Sequence, residues 1–87
     1  MLVTTEHGEF EVNEITFKQQ RKLHRLNSMS RWEGSLDAEK YFDLLDEVKE
    51  VSGLSDKTLK VFTDPQIDAI LRDVFIAYKG LTSEKKH

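Results

Sequence analysis

Tyr41, Leu44, Leu45, Val48 and Val51 stand at i, i+3, i+4, i+7 and i+10. On a helix these positions share one face, and the polar residues between them fall on the other. Ile67, Ile70, Leu71, Val74 and Tyr78, at i, i+3, i+4, i+7 and i+11, make a second such stripe beginning 26 residues later. Two amphipathic helices of this length each carry an apolar stripe that must be covered, so the chain is constrained to pack helix on helix. With 87 residues there is room for one core, and a chain this short buries only about 60–65% of its unfolded surface.

Local signals set the element boundaries. Leu2–Thr5 and Phe10–Val12 are β-prone runs around Glu6-His7-Gly8-Glu9, with Gly8 placed to supply a hairpin turn. Two strands alone are marginal in water, so the hairpin must pack on helices. Thr16 and Gln19 form a capping box that opens a helix from Phe17 to about Met29. Ser28, Ser30, Gly34 and Ser35 predict a loop or frayed end around Arg31 and Trp32. Ser35 or Asp37 caps the second helix, which runs to about Val51 before the stop signal Gly53. Ser55 opens a short helix over Asp56–Phe62. Thr63 or Asp64 caps the last helix, with Pro65 in its first turn, running to Lys79 and ended by Gly80. The expected architecture is α+β and mostly helical, an N-terminal β-hairpin packed on three or four helices. Residues 1–80 read as one domain and residues 81–87 as a flexible, charged tail.

Charge is segregated along this framework. Lys18, Arg21, Lys22 and Arg25 sit at i, i+3, i+4 and i+7 in a segment, Ile15–Trp32, without an acidic residue. They form a positive stripe on the first helix, beside an apolar stripe of Leu23, Leu26 and Met29. Glu39, Asp43, Asp46, Glu47 and Glu50 form a negative stripe on the second, opposite its Tyr41/Leu44/Val48 face. The two stripes are therefore expected to face solvent or partners, with the four cations exposed and not engaged with Asp43, Asp46 or Glu47. On the last helix, Ala69 and Ile76 lie opposite the main apolar stripe, which makes that helix either the centre of the fold or a partner-facing surface. Trp32 beside Met29 is either folded onto the core or offered to a partner. Lys18, Arg21, Lys22, Arg25, Met29, Trp32, Ala69 and Ile76 are thus the candidate partner-binding residues.

Catalytic and metal chemistry find no constellation here. His7, His24 and His87 stand at no metal-ligand spacing, and Cys is absent. A straight helix spreads carboxylates along one side, whereas calcium sites need a curved loop. The isolated glycines build no phosphate cradle, and no serine lies in a nucleophile elbow. The reading is a non-enzyme with no cofactor. The net charge of −3 argues against general nucleic-acid binding. No apolar run approaches the ~20 residues that span a bilayer, and Met1-Leu2-Val3-Thr4 lacks the basic start of a signal peptide.

The order of parts resembles the small bacteriophage tail assembly chaperones. Glu9-Phe10-Glu11-Val12-Asn13-Glu14-Ile15-Thr16 is similar to their opening strand followed by Leu/Ile-Thr. Val51-Ser52-Gly53-Leu54-Ser55, then Leu59 and the cap at Asp64-Pro65-Gln66-Ile67, is similar to their Gly-Leu-Ser turn, short helix and last helix. The resemblance spans about Glu9 to Tyr78 and carries no catalytic residue. It implies a helical phage or prophage protein of the host cytoplasm that coats the tape measure protein before tail assembly. In longer, frameshifted forms such proteins also recruit the tail tube subunit, and homo-oligomers are expected. The competing expectation is a small phage or bacterial regulatory protein whose basic helix binds an acidic partner or nucleic acid.

Overall fold

A computed structural model describes residues 1–32 and 35–84, with side chains outside 31–36 and 81–84. Strands β1 (Leu2–Thr5) and β2 (Gly8–Glu11) pair antiparallel in the register Leu2↔Glu11 to Thr5↔Gly8. Thr5 ties the turn: its hydroxyl accepts from the His7 amide at 3.0 Å and donates to the Gly8 carbonyl at 2.9 Å. Gly8 takes φ +119°, a conformation L side chains resist. Alternation turns Val3 and Thr5 inward, and Val12 continues the buried set just past β2.

The capping box forms on both sides. Gln19 N–H donates to Thr16 Oγ1 at 3.1 Å and Thr16 N–H to Gln19 Oε1 at 2.8 Å, starting α1 (Phe17–Ser30). The expected apolar stripe on α1 holds only in part. Steps of three residues turn about 300°, so Leu23, Leu26 and Met29 drift by about 60° each off the buried face. Leu23 is buried, Leu26 packs on the core edge and Met29 is 44% exposed. Ser30 takes the inner position instead, its hydroxyl donating to the Asn27 carbonyl at 2.7 Å.

Where a loop was expected, β3 (Arg31–Trp32) pairs with β4 (Ser35–Leu36). Asp37 then caps α2 (Ala38–Ser52), accepting from Lys40 N–H at 3.2 Å, and Gly53 closes it at φ +78°. Helix α3 is a single turn, Asp56–Leu59, shorter than the expected span to Phe62. Thr63 is the cap of α4 (Asp64–Glu84): its carbonyl accepts from Ile67 N–H and its own N–H donates to Gln66 Oε1, both at 2.9 Å. The helix passes through Gly80 to Glu84. Gly80 keeps a negative φ, and a mid-helix glycine costs only about 1 kcal/mol against alanine, with no proline behind it to force a stop.

The resulting α+β, mostly helical fold buries one cluster: Leu44, Leu45, Val48 and Val51 of α2 meet Ile70, Leu71, Val74 and Tyr78 of α4, with Leu23 of α1 and Val3 of the hairpin against them. Asn13 ties these elements together. Its backbone N–H donates to the Ser52 carbonyl at 2.9 Å, and its backbone carbonyl accepts from the Tyr78 hydroxyl at 2.6 Å. The chain leaving the hairpin is thereby fastened to the end of α2 and to α4. Burial of the Tyr78 phenol pushes its pKa up to about 12.

Candidate functional site

With Leu23 and Ser30 turned inward, α1 presents Lys18, Arg21 and Arg25 outward, all exposed. Phe17, the first residue after the cap, has no preceding turn to cover it and is 74% exposed. The Arg21 guanidinium lies 5.8 Å over its ring, the i, i+4 geometry of a cation–π pair. Phe17, Lys18, Arg21, Lys22 and Arg25 surround a depression of about 500 Å³ that reaches Glu47 on α2. Among the described residues, Lys18, Arg21 and Arg25 have no carboxylate within ion-pair distance.

Lys22 departs from the expectation that all four cations stand clear of α2. Its ammonium pairs with Glu47 at 3.1 Å. The four cations span about 100° of circumference, and Lys22 lies at the edge nearest α2. Glu47 lies correspondingly at the edge of the acidic stripe, 22% exposed, while Asp43, Asp46 and Glu50 point outward. An ion pair thus bridges the α1–α2 seam, and three cations remain on the outer face.

The other candidates are dispersed. Met29 lies at the far end of α1, and the Trp32 side chain falls outside the described residues. Ala69 is half-buried and Ile76 is 55% exposed. Ile76 lines a different depression, between α1, α2 and α4, to which none of the α1 cations contributes. Phe17 was missed as a surface residue, although its place directly after the capping box was the available signal. Comparison with protein-family models, curated proteins and solved structures returned no match. Among the described residues no helix is long and apolar enough to cross a membrane.

Proposed function

We propose that this chain is a non-enzymatic protein-binding module that docks a partner on the outer face of α1. The observation that carries the reading is Phe17, an aromatic ring in water, beside three cations without ion partners among the described residues. An aromatic anchor with an arginine rim is the composition that concentrates binding energy at protein interfaces. The acidic outer face of α2 and the net charge of −3 disfavour a polyanionic duplex as the ligand.

Among roles for such a module, a phage or prophage tail assembly chaperone accords with the order of elements from Glu9 to Tyr78. The client would be the tape measure protein, engaged in the host cytoplasm, with the tail tube subunit as a further partner. A long client bound by many copies needs only modest affinity at each. Co-expression with the tape measure protein of the same genome tests this. Co-purification that is lost in Phe17→Ala and in the pair Arg21→Glu/Arg25→Glu supports both role and site. Absence of co-purification sinks the chaperone role, and co-purification unaffected by these substitutions sinks the site. The three cations exposed on α1 also favour a second reading, a regulator of an acidic protein; its binding would weaken steeply with salt and survive removal of the Phe17 ring.

A further inference from the structure

A second surface lies away from the α1 cations. Between the end of α1, the start of α2 and the second half of α4 runs a groove of about 370 Å³. Leu44, Leu45 and Phe75, all buried, form its floor, and half-buried Tyr41 walls one side. Ile76, 55% exposed, leaves apolar surface in water at the other. Phe42, half exposed, stands 6.3 Å from the Tyr41 ring, outside the groove itself.

The rim is cationic. Arg72 and Lys79 are exposed, and among the described residues neither reaches a carboxylate at ion-pair distance. The Lys79 ammonium rests 5.5 Å above the Phe75 ring, which holds its charge at the groove's edge. Arg72, Ile76 and Lys79 follow one another along α4 at i, i+4 and i+7, so the charged rim runs for two turns, about 10 Å. That length matches a short helix laid along α4, apolar side down.

We propose that this groove docks an amphipathic helix of a partner protein whose apolar face is flanked by acidic residues. The floor takes the apolar side chains, and Arg72 and Lys79 meet the carboxylates. The site stands apart from the α1 face and does not depend on the function assigned to that face.

The test is an NMR titration of the isotope-labelled full chain with two synthetic stapled helices. One carries Leu at i, i+3, i+4 and i+7 with flanking Glu; the other has Lys in place of every Glu. The expected result is amide shifts centred on Tyr41, Phe75, Ile76 and Lys79, with the Glu helix bound about tenfold or more tighter than the Lys helix. Ile76→Lys should abolish binding, Arg72→Glu/Lys79→Glu should erase the preference, and Arg21→Glu/Arg25→Glu should leave both intact. These positions are on the surface, and circular dichroism checks that each variant folds. Shifts centred on Arg21 and Arg25, equal affinity for the two helices, preference for the Lys helix, or no binding of either would each overturn the proposal.

Discussion

Replacing Tyr78 by Phe removes one oxygen atom and tests how the hairpin is held to the helices. Tyr78 is 1% exposed, and its hydroxyl donates at 2.6 Å to the Asn13 carbonyl, 65 residues away in sequence. The ring, and with it the apolar burial, is retained in the variant. What is lost is a hydrogen bond whose acceptor then lacks that donor, a change worth about 1–2 kcal/mol. For a domain of this size that lowers Tm by roughly 4–15 °C. The pH dependence adds a second signature. Burial raises the phenol from its ordinary value of 10.0 to about 12, so the folded state favours the protonated form. That contribution is complete below the unfolded pKa and is lost as pH rises through the folded one. The shift corresponds to about 2–3 kcal/mol. The wild-type chain should therefore lose stability over this alkaline window relative to Tyr78→Phe, so that the gap between them closes and then reverses sign as the pH approaches the folded pKa. Urea unfolding followed by far-ultraviolet circular dichroism, repeated from neutral to alkaline pH, measures both effects. A variant as stable as wild type at neutral pH, or a gap that stays constant through the alkaline window, would rule out a stabilising role for this hydroxyl.

Three further outcomes are expected. Gly53→Ala should cost about 1–2 kcal/mol, because φ +78° strains any L side chain and the new Cβ would lie 2.6 Å from Asn13 Nδ2; adding Asn13→Ala should recover only the steric part in urea unfolding. A double-mutant cycle on Lys22 and Glu47 should give a coupling of about 0.3–1 kcal/mol that fades with salt, since the lysine is 57% exposed; a coupling of zero would remove the ion pair from the seam. Asp68 has its carboxyl pKa raised by burial and then by Asp64 and Asp46, so its ionised form disfavours the fold. Asp68→Asn should raise Tm at neutral pH, and the advantage should vanish as pH falls below the ordinary aspartate range; a constant difference across pH would contradict the assigned cause.

Interactions between near neighbours in sequence were the legible ones. Thr16 and Gln19 form their box, Asp37 caps α2, and Gly53 ends it, because each signal depends on a few adjacent residues. The α2 and α4 stripes were legible too, since five apolar positions each on one face leave one way to pack. What escaped depended on neighbours distant in sequence or on competition between weak terms. Lys22 looks like its three companions until α2 is placed beside it. Gly80 carries a stop signal that nothing after it reinforces, so α4 continues to Glu84. The β3–β4 pairing lies among serines and a glycine that read equally well as a loop. The surface role of Phe17 needed the direction of α1, and the groove at Ile76 needed three helices at once.

We propose that a protein partner sits on the outer face of α1, around Phe17, Arg21 and Arg25. If the proposed client co-purifies, lysine acylation footprinting of the complex against the free chain reads whether this face is covered. Lys18 lies on that face, while Lys57 and Lys60 are exposed near α3 and serve as internal references. Lys18 should react at least about tenfold more slowly in the complex than in the free chain, as expected for a side chain shielded at an interface rim, with Lys57 and Lys60 unchanged. Equal reactivity of Lys18 in the two states would contradict it.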